Sequence, residues 1–241
     1  MAQKSVVYNK KEFLINYDIA NAKERKSIAI LHGWGSNKEI MKSAFDGCLS
    51  DFKHIYIDMP GFGKSPNEDQ VLTTQDYANI IKLFLGDEDL ICVVGHSFGG
   101  KVATLLNPKN LVLLSSSGIL EPKPLKVKIK IAIFKLFKSF GGVKLRSFFA
   151  SDDAKQMNQA MYETFKNVVN EDFSASFAKC TSNAIVIWGK SDTATKLSSG
   201  QTIAKLISNS KFFPLDGDHY FFLKQKKVVC DIIRENLKKG D

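Results

Sequence analysis

The most regular feature of the chain is a series of short apolar runs that end in small or polar residues. These runs are "SIAILHG" (27–33), "HIYIDMP" (54–60), "LICVVGH" (90–96), "LVLLSSS" (111–117), "AIVIWGK" (184–190) and "SKFFPLD" (210–216). Continuous apolar runs of this length are typical of strands buried on both faces of a parallel sheet. Two further runs near the amino terminus, "SVVY" and "EFLINYDI", predict a hairpin.

Segments with apolar residues at helical spacing lie between these strands. They cover 38–49, 74–85, 197–207 and a closing stretch to about residue 238, and Thr73 is placed to cap the second of them. Strands that alternate with helices predict a doubly wound α/β sheet. In such a sheet, binding and catalytic sites form at the carboxyl ends of the strands.

The alternation of strands and helices is interrupted between residues 119 and 182. Two long segments there, "EPKPLKVKIKIAIFKLFKSFGG" and "SDDAKQMNQAMYETFKNVVNED", have helical character with no strand between them. We therefore expect an α/β core formed by 1–118 and 183–241. An all-helical lid, 119–182, is expected to be inserted over the strand ends.

A serine stands at the junction of a predicted strand and a predicted helix. The segment "LICVVGHSFGG" (90–100) passes from the apolar run directly into the pattern G-x-S-x-G, with Ser97 at its centre. A serine on so sharp a turn has a strained backbone, and side chains two residues to either side would collide. The pattern in this context is typical of a nucleophilic serine, so Ser97 is the predicted nucleophile.

A nucleophilic serine needs a base, and the base needs an acid to orient it. His219, in "LDGDHYFFL", follows the last predicted strand and is the predicted base. Asp192, in "IVIWGKSDTAT", follows the strand 184–190 by two residues and is the predicted acid. Asp216 and Asp218 are the alternatives. A carboxylate adjacent to the imidazole in sequence is poorly placed to reach its far nitrogen, so Asp192 is preferred.

Two backbone N–H groups are placed to stabilise negative charge on a substrate carbonyl oxygen. Phe98 directly follows the nucleophile at the start of a helix, and Trp34 lies in "HGWG" after the strand 27–31. Fixed donors of this kind form an oxyanion hole. An ordinary glycine turn is the alternative interpretation of "HGWG".

These motifs together resemble the α/β-hydrolase superfamily. The matching segments, in order along the chain, are "LHGWG" (31–35), "DMPGFGKS" (58–65), "GHSFGG" (95–100), "WGKSD" (188–192) and "GDHYFFL" (217–223). The resemblance covers essentially the whole chain outside the predicted lid. It implies the α/β-hydrolase fold, a triad of Ser97, Asp192 and His219, and acyl transfer that requires no cofactor and no metal.

The resemblance leaves the substrate class open. Epoxide hydrolases and haloalkane dehalogenases of this fold use aspartate where this chain has Ser97, which excludes them. Carbon–carbon bond hydrolases of 2-hydroxy-6-oxo-dienoate-type ring-fission products use serine. However, they commonly carry Asn and Trp where this chain has His96 and Tyr220, and Arg146 is the only lid candidate for their carboxylate-binding arginine. We expect a hydrolase of small-molecule carboxylic esters, or of thioesters. A carbon–carbon bond hydrolase and a non-catalytic receptor of the same fold remain the alternatives.

Most of the excess of positive over negative charge lies in one part of the predicted lid. The formal net charge is +9, and residues 121–150 contain eight basic side chains and a single acid, Glu121. Ile131 and Phe134 lie on apolar faces of this segment and are expected to line the pocket for an apolar acyl group. A basic amphipathic helix can also dock an acidic carrier protein or lie on an anionic membrane surface.

Other features of the composition exclude whole classes of function. Only three of the 34 basic residues are arginines, and no nucleic-acid module is recognisable, so a nucleic-acid partner is not expected. The four histidines lack metal-ligand spacing, and no Cys-x-x-Cys pair occurs. The single cysteines Cys48, Cys92, Cys180 and Cys230 are expected to be reduced thiols. No secretion signal or membrane-length apolar run is found, which predicts a cytoplasmic protein.

Overall fold

The computed structural model describes residues 2–67, 69–120 and 158–237. Its eight strands form one sheet in the order β1-β2-β4-β3-β5-β6-β7-β8. The strands are β1 (Ala2–Tyr8), β2 (Lys11–Ala20), β3 (Ser27–Leu31), β4 (Lys53–Ile57), β5 (Leu90–His96), β6 (Asn110–Leu114), β7 (Asn183–Gly189) and β8 (Ser210–Leu215). Each predicted strand is confirmed, as is the amino-terminal hairpin of β1 and β2.

Helices cover both faces of the sheet. Among the described residues they are α1 (Lys38–Phe45), α2 (Thr74–Leu85), α3 (Phe98–Leu106), α4 (Gln159–Val169), α5 (Ser174–Lys179), α6 (Leu197–Leu206), α7 (Phe221–Lys224) and α8 (Lys226–Leu237). The predicted helix 38–49 ends at Phe45 because Asp46 is extended and Gly47 has a φ of +73°.

The pairing of the strands places one set of strand ends together. β1 pairs with β2 and β2 with β4 in antiparallel fashion, whereas the pairs from β4 through β8 are all parallel. The carboxyl ends of the six parallel strands therefore lie at one edge of the sheet. The predicted mostly parallel α/β sheet is confirmed.

The apolar runs of the central strands supply two separate cores. In β5, Val93 packs into the core that contains α2 and α3, whereas Cys92 and Val94 pack into the core that contains α1 and α8. All three side chains are fully buried. A strand with helices on both sides must be apolar on both faces, which explains why these runs do not alternate with polar residues.

The predicted N-cap of α2 is also confirmed. Thr73 Oγ1 accepts a hydrogen bond from the Asp76 amide at 3.2 Å, and Asp76 Oδ2 accepts one from the Thr73 amide at 2.8 Å. This reciprocal pair is a capping box, which satisfies two N–H groups that the first turn of the helix leaves free.

The predicted lid is only partly within the described residues, and its boundaries stay a prediction. Residues 121–157, with the basic segment and with Ile131, Phe134 and Arg146, lie outside them. The described remainder is helical: α4 and α5 follow one another, and Phe177 of α5 is fully buried in the core beside α3. The Phe173 amide donates to the Gly118 carbonyl at 2.8 Å.

The expectation of four reduced thiols is wrong for two of the cysteines. Cys48, after α1, and Cys230, in α8, form a disulfide with a Cα–Cα distance of 6.0 Å, whereas Cys92 and Cys180 are buried free thiols. The two paired cysteines are 182 residues apart in the chain, so no local spacing revealed the pair. They meet because α1 and α8 pack on the same face of the sheet.

We expect the Cys48→Ser variant to unfold more easily than the wild type under oxidising conditions. Loss of the crosslink restores the entropy of a long loop in the unfolded chain, so the free energy of unfolding should fall by up to about 5 kcal/mol. Urea denaturation with and without dithiothreitol measures this. Dithiothreitol should lower the free energy of unfolding of wild type and of the control Cys180→Ala, and it should leave that of Cys48→Ser unchanged. Four titratable thiols in the unfolded, unreduced wild type would contradict the pairing.

Candidate active site

Ser97 stands on the turn that joins β5 to α3. Its backbone has a φ of +51° and a ψ of −114°, a strained conformation for a residue with a side chain. The turn is held by two hydrogen bonds: the Ser97 amide donates to the Leu114 carbonyl and the Ser117 amide donates to the Ser97 carbonyl, each at 3.1 Å. Neighbouring strand β6 and the segment after it thereby fix the strained residue.

Glycines surround Ser97 because the chain packs too closely for side chains there. A Cβ at Gly95 would overlap the carbonyl group of Gly99, and a Cβ at Gly99 would lie 2.5 Å from the His32 carbonyl oxygen. Such distances essentially never occur for real Cβ atoms. The G-x-S-x-G pattern therefore has the steric origin that the sequence predicts.

Asp192 and His219 meet at the carboxyl edge of the sheet, as predicted. His219 Nδ1 donates to Asp192 Oδ2 at 2.8 Å, so in the neutral imidazole Nε2 is the acceptor nitrogen. Neither alternative acid is bound to the imidazole among the described residues. Asp216 pairs with Lys190 at 2.8 Å, and Asp218 accepts from the Tyr220 amide at 2.8 Å.

The Asp192 carboxylate is buried and saturated with hydrogen bonds. Its Oδ1 accepts from the amides of Ala194 and Thr195 at 2.8 and 2.9 Å, and Oδ2 accepts from the Thr195 hydroxyl at 2.9 Å. Burial raises the pKa of this carboxyl, but donors that include His219 and Thr195 outweigh it and hold the pKa at about 2. Asp192 is thus ionised at neutral pH and orients His219.

His96 contacts His219 and helps to fix its position. His96 Nε2 donates to the His219 carbonyl at 3.0 Å, and the two ring centroids are 4.6 Å apart. Burial lowers the pKa of His96 to about 3, so this imidazole is neutral, and its buried Nδ1 has no hydrogen-bond partner among the described residues. A Cβ at Gly33 would lie 3.0 Å from that Nδ1. His96 therefore acts on the position of His219 and does not replace it.

A cavity of about 330 Å³ opens beside Ser97. Trp34, Phe98 and Thr195 line it together with Ser97, and Thr195 Oγ1 lies 3.4 Å from His219 Nδ1. Ser97 Oγ and His219 are not hydrogen-bonded to each other in the described part of the chain. Such bonds between nucleophile and base are often long without substrate. Thr195, which lines the cavity and contacts both Asp192 and His219, is the described link between the cavity wall and that pair.

The loop that carries Trp34 is fixed by a buried histidine. His32 Nδ1 donates to the Gly33 carbonyl at 2.7 Å, and His32 Nε2 accepts from the Met59 amide at 3.0 Å. Burial lowers the pKa of His32 to about 4, so the ring stays neutral and keeps both roles. The Trp34 ring lies 5.5 Å from that of Phe98, which brings the two residues predicted for the oxyanion hole together.

The predicted lining of the cavity by Ile131, Phe134 and Arg146 stays a prediction, because these residues lie outside the described ones. Within the described part of the predicted lid, Phe165 and Val168 of α4 line the cavity. Residues that sequence reasoning missed also lie there: Thr195, which bonds Asp192, and the charged pair Lys101 and Glu171. The "SDTAT" context of Asp192 contained a signal for Thr195, because a Thr three residues after an Asp is a common local hydrogen-bond partner.

The described residues contain no group of three or more His, Cys, Asp or Glu side chains placed to hold a metal ion. None of the helices between residues 2 and 237, within the described ranges, has the length and apolarity needed to cross a bilayer.

The fold and the site define a class of protein. A model of the alpha/beta hydrolase family matches residues 28–231, and the chain belongs to this family. The solved structure of a thermophilic esterase from Thermogutta terrifontis, with malate bound, is similar with a TM-score of 0.72 and 16% identity, and covers 100% of this chain and 99% of that chain. Similarity at this identity shows the fold.

Curated relatives are similar in sequence as well. A protein named pimeloyl-[acyl-carrier protein] methyl ester esterase from Proteus mirabilis (strain HI4320) is 33% identical over 96 residues, 37% of this chain and 36% of that protein. The match therefore spans little more than a third of that relative's length. A protein of the same name from Shewanella woodyi (strain ATCC 51908 / MS32) is 27% identical over 199 residues, 69% of this chain and 76% of that protein.

The low pKa of Asp192 predicts a specific pH dependence of stability. A carboxyl whose folded pKa is lowered from 3.8 to about 2 stabilises the fold above pH 4, and this contribution is lost as pH falls towards 2. Wild type should exceed Asp192→Asn in free energy of unfolding, and the excess should shrink by about 1 kcal/mol between pH 6 and pH 3. Denaturant titrations at both pH values measure it. An excess that does not change with pH would contradict the assigned pKa.

Proposed function

We propose that the protein is a serine hydrolase that cleaves carboxylic esters through an acyl-enzyme. The observation that carries this proposal is the hydrogen bond of 2.8 Å from His219 to the ionised Asp192, beside a cavity that exposes Ser97 on a strained turn. A serine hydroxyl is a weak nucleophile near neutral pH, and a neutral imidazole held in this orientation is the base it needs.

The proposed mechanism gives each of the predicted groups one role. His219 Nε2 takes the proton from Ser97 Oγ as the oxygen attacks the substrate carbonyl, and Asp192 stabilises the imidazolium that forms. The Phe98 and Trp34 amides hold the negative charge on the carbonyl oxygen. His219 then protonates the leaving alcohol, and water releases the acyl group by the same steps in reverse. No step of this mechanism requires a metal or a cofactor.

Ester hydrolysis is favoured over the two alternatives, which are carbon–carbon bond hydrolysis and ligand binding without catalysis. The relatives that match in sequence are named as methyl ester esterases. The residues beside the nucleophile and the base, His96 and Tyr220, depart from those common in carbon–carbon bond hydrolases. A receptor of this fold can retain the same residues, and only turnover distinguishes it from an enzyme.

The natural substrate is proposed to be an ester attached to an acyl carrier protein. The names of the relatives point to such a substrate. This chain has a net charge of +9, with the excess concentrated in 121–150, which suits an acidic partner. A thioester is the alternative to an ester as the bond that is cleaved. An anionic membrane surface is the alternative partner for the same positive charge.

The cytoplasmic location expected from the sequence stays a prediction. Disulfides persist mainly in oxidising compartments, so the bond between Cys48 and Cys230 argues for an environment more oxidising than the cytoplasm of a mesophile.

We expect Ser97→Ala to abolish the hydrolysis of a short p-nitrophenyl ester, with a loss in kcat of about 10⁴-fold or more, because no nucleophile remains. Steady-state kinetics measures this, and Ser43→Ala, an exposed serine on α1, is the matched control. Wild type that binds acyl esters without turnover would support the receptor. Faster cleavage of a ring-fission dienone than of esters would contradict ester hydrolysis and support carbon–carbon bond hydrolysis.

Docking of an acidic carrier should make activity sensitive to salt. Between about 0.05 and 0.5 M NaCl, kcat/KM for a carrier-bound methyl ester should fall at least tenfold, whereas kcat/KM for the free methyl ester should stay within twofold, because salt screens exposed charges. Equal salt dependence for both substrates would contradict a carrier partner. Anionic vesicles that inhibit or activate the enzyme at low salt would point to a membrane surface instead.

A further inference from the structure

Lys101 is a buried cation that the proposed mechanism does not use. It lies on α3, four residues after Ser97, and only 2% of its side chain is exposed. Its Nζ donates to the Val168 carbonyl at 2.7 Å and to Glu171 Oε2 at 2.8 Å. The same Glu171 oxygen accepts from the Thr74 hydroxyl at 2.5 Å.

Lys101 lies on the wall of the cavity that Ser97 opens into. Lys101 and Glu171 both line this cavity. Side chains on a helix lean towards its amino end, so the Lys101 side chain returns towards the turn that carries Ser97. Consistent with this direction, Nζ lies 5.9 Å from the centroid of the Phe98 ring, the residue next to the nucleophile. A second ring, that of Phe173, lies 5.3 Å from Nζ.

Stability of the fold does not explain this pair. Removing the Lys101 ammonium from water is costly even beside Glu171, whose side chain stays 33% exposed, and apolar residues of similar size usually stabilise a core as well as a buried ion pair does. Burial lowers the pKa of Lys101, although hydrogen bonding to Glu171 offsets part of that effect. The other fully buried lysine among the described residues, Lys38 at the start of α1, pairs with Glu39 at 3.0 Å and Asp58 at 3.5 Å and does not line the cavity beside Ser97.

The hydrogen bonds of Lys101 leave room for a ligand. An ammonium group has three N–H donors, and acceptors among the described residues take two of them. The same cavity is lined by the apolar side chains of Trp34, Phe165 and Val168. Few polar groups in a mostly apolar pocket usually fix the position of one polar group of the ligand.

We propose that the Lys101–Glu171 pair binds a neutral oxygen function on the acyl chain of the substrate, such as a keto, hydroxyl or second ester group a few bonds from the scissile carbonyl. This inference rests on the proposed esterase function and narrows its substrate class from apolar to oxygenated acyl groups. A neutral oxygen fits better than a carboxylate because Glu171 already balances the charge of Lys101. A second carboxylate there would be repelled.

The experiment compares two esters that differ by a single oxygen: p-nitrophenyl pentanoate and p-nitrophenyl 4-oxopentanoate. Wild type should prefer the 4-oxo ester in kcat/KM by about 10- to 100-fold, after division by the ratio of their alkaline hydrolysis rates. This division removes the difference in intrinsic reactivity. The comparison needs no variant, so it tests the inference even if a substitution at Lys101 prevents folding.

The double variant Lys101→Met/Glu171→Gln removes both charges together, so that neither is left buried without its partner. Its corrected preference for the 4-oxo ester should fall to about 1. The matched control is Lys53→Met/Glu88→Gln, which removes a partly buried ion pair that lies away from the cavity, and its corrected preference should equal that of wild type.

The outcomes distinguish failure of the esterase proposal from failure of the inference about Lys101 and Glu171. Wild type that hydrolyses both esters with a corrected ratio near 1 overturns the inference and leaves the esterase proposal intact. A double variant that loses activity equally on both esters shows that the pair only holds α4 against α3, and also overturns it. Failure of wild type to hydrolyse either ester refutes the esterase proposal and the inference with it.

Discussion

The strained turn at Ser97 is the constraint on which the rest of the structure depends. A positive φ at a residue with a side chain persists only where the surroundings hold it, and here β6, the segment after it and the loop after β3 all contact the turn. Close packing at this point excludes Cβ atoms at Gly95 and Gly99. The same crowding aims the serine away from the sheet and into the cavity.

Two neutral histidines extend this constraint to the neighbouring loops. His32 ties the loop with Trp34 to the loop after β4, and His96 ties the nucleophile turn to the loop with His219. Burial keeps both rings uncharged, so each keeps one donor and one acceptor nitrogen. The parts of the site therefore have fixed relative positions, although they come from four separate loops. Preorganisation of this kind is what an oxyanion hole and a general base require.

Much of this arrangement was predictable from the sequence because it follows from short-range rules. Buried strands require apolar runs, and a strand–turn–helix with glycines around Ser97 has one steric explanation. Asp192 and His219 were predictable because parallel strands end at one edge. The disulfide and the Lys101–Glu171 pair were not. Each joins residues far apart in the chain, and whether two such side chains meet depends on how helices pack, which no local pattern records.

The bond between Cys48 and Cys230 also changes what a break in the chain would do. Ser97 lies on one side of the insertion, whereas Asp192 and His219 lie on the other, and all three fall between the two cysteines. A protease that cuts once within 121–157 would yield two fragments that remain covalently joined. The central sheet, with β6 and β7 still paired, would hold Ser97 and His219 in one molecule.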